Sequence, residues 1–176
     1  MNMNRLIPFG IIVLLQGCSS VAEHRGDTLL DTEKLRLVLA PYNNATDDEH
    51  AGRALTELTG TALATRGLSV QQTEQAMTKS EDQDEGSLQT GYLQKAKEMK
   101  ATHIVLGTVH EYHYKTDLNA NPAVGITIRL VDVDTGQTVW QGSAGKVGYA
   151  FASLTSTAQR AVGELVSKMP FKKGKG

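Results

Sequence analysis

The spacing of hydrophobic residues changes along this chain in ways that mark strands and helices. Ile104-Val105-Leu106-Gly107 is an unbroken apolar run, as expected of a strand covered on both faces. Ile126, Ile128 and Leu130 then alternate with Thr127 and Arg129, which predicts a strand with one covered face. After Val133, Asp134-Thr135-Gly136 places a glycine where φ can turn positive and leads into Thr138-Val139-Trp140, a hairpin with Trp140 in the core. The first two strands are joined through Asp117-Leu118-Asn119-Ala120-Asn121-Pro122, where asparagine and proline end ladder pairing. Thr102 to Tyr149 therefore reads as an antiparallel meander.

Upstream, Leu35 to Ala40 alternates and is cut by Pro41, predicting a first strand. Thr46-Asp47-Asp48-Glu49 matches a capping box ahead of a helix carrying Ala51, Leu55, Leu58, Ala62 and Thr65 and stopping at Gly67. Leu68-Ser69-Val70 is a short strand, followed by an acidic loop from Thr78 to Gly86. Ser87 is placed to cap a second helix with Leu88, Tyr92, Ala96 and Met99 on one face, although Gly91 inside it costs about 1 kcal/mol against alanine. The last helix starts near Ser153, stripes Leu154, Ala158, Ala161, Leu165 and Met169, and ends at Pro170. The order β-α-β-α-β-β-β-α over residues 35–170 predicts a single α/β domain with a mixed sheet. Its first part is parallel, with right-handed crossovers, and its C-terminal part is an antiparallel meander. Helices in this number cover two sheet faces only in part, which leaves sheet surface for partners.

The start of the chain changes the picture most. One positive charge in residues 1–5 precedes the apolar run Leu6 to Leu15. That run is shorter than the roughly 20 residues of a bilayer-spanning helix but suits the core of a secretory signal. Leu15-Gln16-Gly17-Cys18 then resembles the bacterial lipoprotein signal, in which cleavage precedes a cysteine that is lipidated. Cys18 is the only cysteine, so no internal disulfide forms. Ser19 and Ser20 follow in place of an aspartate, and the resemblance then implies the outer membrane. The expected organisation is a signal peptide at 1–17, a lipidated cysteine with a short tether at 18–34, a periplasmic domain at 35–170 and a frayed basic tail at 171–176. Such a tether reaches at most about 55 Å fully stretched. The formal charge is −1, and one unit lower without Arg5, which makes no general case for nucleic acid.

Candidate chemistry is sparse. His110-Glu111-Tyr112-His113 resembles a zinc-protease helix motif, but the second histidine comes one residue early. On a strand, positions 110 and 113 are expected to face opposite ways, so no shared metal is predicted. The glycines from 142 to 148 lie in or beside a strand, where they suit close backbone approach rather than a phosphate loop. No serine sits in a nucleophile elbow. Neither an enzymatic role nor a cofactor is predicted. Arg129 faces away from the main core, either into solvent or onto a strand carboxylate of another subunit such as Glu111. Asp117 reads by default as a turn former. Tyr149 either meets a membrane interface with help from Phe151, or continues the pleat into the core while Phe151 braces the last helix.

Together with the lipoprotein-like start and the element order, several segments carry a family resemblance. They are Tyr114-Lys115-Thr116-Asp117-Leu118, Pro122-Ala123-Val124-Gly125, Val139-Trp140-Gln141-Gly142-Ser143, Gly148-Tyr149 and Ser153-Leu154. The chain resembles the PelC family, outer-membrane lipoproteins of Pel exopolysaccharide export that are related in fold to the curli secretion lipoprotein CsgG. The resemblance implies a homo-oligomeric periplasmic ring on the inner leaflet of the outer membrane. An acidic opening in that ring would guide a cationic polysaccharide towards the export protein PelB. Candidates for that opening are Asp117 and the run Glu81, Asp82, Asp84 and Glu85. Tyr149 stands where these proteins can carry a tryptophan next to the membrane. A CsgG-like pore needs spare membrane-spanning hairpins, and none are left after the core elements are assigned. An LpoB-type activator of peptidoglycan synthesis needs a long tether. A periplasmic interaction lipoprotein of the LpoB or CsgG kind, and a stand-alone hydrolase, are the alternatives.

Overall fold

The computed structural model describes residues 19–25, 29–73, 85–116, 120–149 and 151–172. Its elements run β1 (Ser19–Arg25), β2 (Leu30–Asp31), β3 (Leu37–Leu39), β4 (Asn43–Asn44), α1 (Ala51–Thr65), β5 (Val70–Gln72), α2 (Glu85–Glu98), β6 (His103–Tyr114), β7 (Pro122–Asp132), β8 (Thr138–Val147), α3 (Leu154–Lys168) and β9 (Phe171–Lys172). The main sheet has the order β1-β8-β7-β6-β3-β5, and β4 pairs alongside β6. As expected, β3, β5 and β6 are parallel, while β6, β7 and β8 form the antiparallel meander.

The two sheet faces are covered unequally. On one, α1 and α3 enclose Leu39, Val105, Ile126, Ile128, Leu130 and Trp140. On the other, Tyr92 and Ala96 of α2 pack over Val38, Ile104, Leu106 and Val131. This double cover explains the unbroken apolar run of β6. Further along the second face, β7 and β8 present Thr127, Arg129, Gln141 and Ser143, none of which is buried.

Gly107 shows how closely the first face is packed. The ring of Tyr42 lies over it, and a Cβ at position 107 would stand 2.5 Å from that ring. The Tyr42 hydroxyl hydrogen-bonds Thr59 Oγ1 at 2.9 Å, and burial pushes the phenol's pKa well above its usual range. Because the ring is held at both ends, Gly107→Ala is expected to cost about 1–3 kcal/mol by overpacking. Urea denaturation checks this; an unchanged midpoint would mean that the ring moves aside freely.

Four expectations near element ends are corrected. Residues 19–25, read as part of a tether, form β1, paired with β8 along its whole length. The stretched reach of about 55 Å therefore does not apply. The capping box at Thr46 is not made: α1 starts at Ala51 with His50 at the N-cap and no side-chain cap. Thr46 Oγ1 instead bonds Asn44 Oδ1 at 2.8 Å, and Asp48 Oδ1 accepts from His50 N at 2.9 Å, so a local turn consumes these groups. The second helix begins at Glu85, ahead of Ser87. Lys172, read as frayed tail, lies in β9, which pairs with β2 because Phe171 is buried beneath the Arg66 guanidinium, 5.4 Å from the ring centroid. The last helix does start as read: Ser153 Oγ accepts from Ser156 N at 3.0 Å, and Ser153 N donates to Ser156 Oγ at 3.1 Å.

Candidate functional site

Strand pairing determines which loops share an end of the sheet. Ser19 starts β1 opposite Lys146, Val147 ends β8 beside Ala123, and Pro122 starts β7 beside Tyr114. The chain start, the β6–β7 connection and the β8–α3 loop therefore lie together. Because β4 runs parallel to β6, residues 45–50 emerge at the same end.

The β8–α3 loop is tightly held from below and bare above. Gly148 N donates to Pro122 O at 2.8 Å, and a Cβ on Gly148 would stand 2.6 Å from both Pro122 Cγ and Thr157 Oγ1. Only glycine permits this approach. Leu154 N donates to the Tyr114 hydroxyl at 3.2 Å, and Ala152 N to Tyr149 O at 3.1 Å. From this base Tyr149 projects at 53% exposure and Phe151 at 108%. Phe151 has φ +66°, a region that aromatic residues seldom occupy. The packing alternative fails for both residues. Pairing of β8 ends at Val147, so the pleat parity that would carry Tyr149 inward no longer acts there.

A second cluster arises from a β-bulge. The register of β6 shifts between Val109 and Glu111, and the β-carbons of His110 and Glu111 both lie above Gly125, 3.8 and 3.2 Å from where its Cβ would be. His113 Nε2 is 2.9 Å from Glu111 Oε1, and His110 Nε2 is 3.0 Å from Thr127 Oγ1. The expectation that His110 and His113 face opposite ways is therefore wrong, because the extra residue resets the alternation. The two histidines bind different partners, and no group of three metal-ligating side chains occurs among the described residues. A hollow beside them, about 680 Å³, is bordered by Asp47, Asp48 and Tyr112. Burial first, and the Asp48 charge second, disfavour the phenolate and push the pKa of Tyr112 above its usual value.

Arg129 lies in a row with Leu106 and Gln141 and has no ion-pair partner among the described residues. Glu111 is on the same face but pairs with Gly125, so the two are separated by four positions, about 13 Å along β7. They do not meet within one subunit. Glu85 is the first residue of α2. Cys18, Glu81, Asp82, Asp84 and Asp117 lie outside the described residues. Tyr114 as a brace is not legible in the sequence, because its partner Leu154 is 40 residues away. Gly148 was legible only in kind, as one of a group of glycines suited to close approach.

These features define a class: an α/β domain with a parallel-then-antiparallel sheet, which displays two aromatic residues at the sheet end where β1 begins. Among solved structures this is the fold of PelC. The PelC dodecamer from Paraburkholderia phytofirmans matches with TM-score 0.73 and 22% identity over 88% of this chain and 99% of that one. A point variant of that dodecamer in another crystal form matches with TM-score 0.72 and 21% identity, over 90% of this chain and 100% of that one. Lipoprotein GNA1162 from Neisseria meningitidis is more distant, with TM-score 0.51 and 16% identity over 76% of this chain and 97% of that one. At these identities the likeness is one of fold. No family model matches the sequence, and no curated protein does. No helix among the described residues is long and apolar enough to cross a membrane.

Proposed function

We propose that this protein is a PelC-like outer-membrane lipoprotein that assembles into a periplasmic ring and guides a cationic exopolysaccharide to a PelB-like export protein. The observation that carries the reading is the fold shared with the PelC dodecamer across nearly all of that chain. The lipoprotein-like segment Leu15-Gln16-Gly17-Cys18 adds to it. So does β1: with Ser19–Arg25 paired to β8, an anchor at Cys18 holds the domain against the bilayer. This disfavours an activator that must reach through the cell wall on a long tether. This role calls for no catalytic residue, metal or cofactor.

Tyr149 and Phe151 contact the membrane interface, where an aromatic ring is half buried and a hydroxyl stays wet. Arg129 and Glu111, on one sheet face and too far apart to meet in a single copy, contact each other across neighbouring copies. Arg129→Glu is expected to lower the assembled fraction in light scattering by turning attraction into repulsion. Unchanged assembly would return Arg129 to solvent. Asp117 and the run Glu81, Asp82, Asp84 and Glu85 supply the acidic opening. A few carboxylates per copy, repeated around a ring, sum to a strong local field even though each chain is nearly neutral.

The functional test is polymer binding. Assembled protein is expected to bind a cationic glucosamine polymer, with affinity that falls as salt rises. Binding that ignores salt, or is equal for a neutral polymer, would contradict guidance by charge.

A further inference from the structure

We infer that the sheet end beside β1 holds the head group of an anionic phospholipid, with Arg160 taking its phosphate between Tyr149 and Phe151. The inference rests on the lipoprotein reading above and adds a specific ligand to it.

Phe151 combines φ +66° with a completely exposed ring. Strained backbone of this kind persists where the surroundings enforce it, and it concentrates at functional sites. No burial within the domain accounts for it here. Against this residue lies an open hollow of about 560 Å³ lined by Tyr149, Phe151, Ala152, Ser156, Gln159 and Arg160.

Arg160 supplies the charge. Its Nη2 reaches Thr157 Oγ1 at 3.4 Å, a long bond, and it meets no carboxylate among the described residues. The acid one helical turn further on, Glu164, is held by Lys146 at 2.6 Å. The planar donor fork of a guanidinium in this state can bond two oxygens of a tetrahedral phosphate at once. The aromatic walls suit the glycerol and upper acyl region below a head group. A free phosphate has no use for those walls, and a cationic polymer would be repelled by Arg160. The chemistry selects an anionic lipid.

Position gives the second argument. Ser19 pairs with Lys146, three residues before Tyr149, so Ser19 lies within about 17 Å of Tyr149. Acyl chains on Cys18 would enter the bilayer in the patch of membrane that this hollow faces. The hollow and the anchor then fix two points of the domain on one surface, which sets its tilt. A single anchor leaves the tilt free.

Native mass spectrometry of the mature protein in detergent, offered equal phosphatidylglycerol and phosphatidylcholine, tests the site. The wild type is expected to retain phosphatidylglycerol about tenfold over phosphatidylcholine: both offer Arg160 a phosphate, but the choline cation offsets that charge and is itself repelled by the guanidinium. Arg160→Gln should bring the ratio close to one, and Arg160→Lys should keep a preference. Phe151→Ser should lower retention of both lipids. Equal retention by the wild type, or an undiminished preference in Arg160→Gln, would overturn the site. Displacement of phosphatidylglycerol by inorganic phosphate would overturn the lipid assignment in favour of a free anion. The same spectra weigh the protein itself. A mass without acyl chains would contradict the lipoprotein reading, whereas an acylated protein with no lipid preference would contradict only the head-group site.

Discussion

Trp140→Ala is expected to cost about 3–5 kcal/mol of folding stability, the range for truncating a buried large aromatic. Trp140 is fully buried on the face of β8 that α3 covers. The indole lies across Gly142: a Cβ there would stand 2.7 Å from the ring and 2.9 Å from Leu165 Cδ2. Glycine has no side chain with which to refill the space, so the cavity stays open and the full cavity cost is felt. Trp140→Phe separates volume from polarity. The indole Nε1 finds no acceptor among the described residues, so this change removes a buried, unpaired donor while keeping most of the ring. Its expected cost is smaller, about 1–2 kcal/mol. Urea denaturation of both variants checks the order. A phenylalanine variant as unstable as the alanine variant would mean that the N–H is bonded in the native state.

Cys18→Ser is expected to remove the protein from the outer membrane while leaving the domain folded. A serine cannot receive the thioether-linked lipid, so the chain should accumulate as an unprocessed precursor or a soluble periplasmic species. The domain should survive because the described fold begins at Ser19, and its core of Leu39, Ile126, Ile128, Leu130 and Trp140 is remote in sequence from position 18. Membrane fractionation beside thermal denaturation reads the two effects separately. A mature-sized variant that still fractionates with the outer membrane would contradict the lipoprotein reading. An unfolded variant would mean that residue 18 contributes to the fold.

The parts of the fold that were legible in the sequence are those governed by local periodicity. Ile126, Ile128 and Leu130 are buried and alternate with the half-buried Thr127 and Arg129, as their spacing required. The Asp134-Thr135-Gly136 turn forms with Gly136 at φ +69°, and Ser153 caps the last helix. Misreadings fell where a distant partner decides. Ser19–Arg25 has too little apolar pattern to announce a strand and gains its order from the β8 edge. His110 and His113 share a face because one extra residue in β6 breaks an alternation that sequence counting takes for granted. Thr46 has the spacing of a cap but turns to Asn44 instead. At the candidate site, the presence of Tyr149 and Phe151 was legible, but their exposure was not. That depends on where β8 stops pairing and on how closely Gly148 meets Pro122 and Thr157. Arg160 went unnoticed because helical spacing says nothing about which loop a helix faces.

The proposed function requires copies of this domain to close into a ring at a membrane. The mature, lipidated protein reconstituted on anionic liposomes tests it most directly, by cross-linking and by mass after mild extraction. The anchor confines the subunits to a plane and raises their effective concentration, so assembly should be at its strongest there. One discrete closed assembly of many copies is expected, weakened by Arg129→Glu. A lipidated protein that remains strictly monomeric on the liposomes would contradict it.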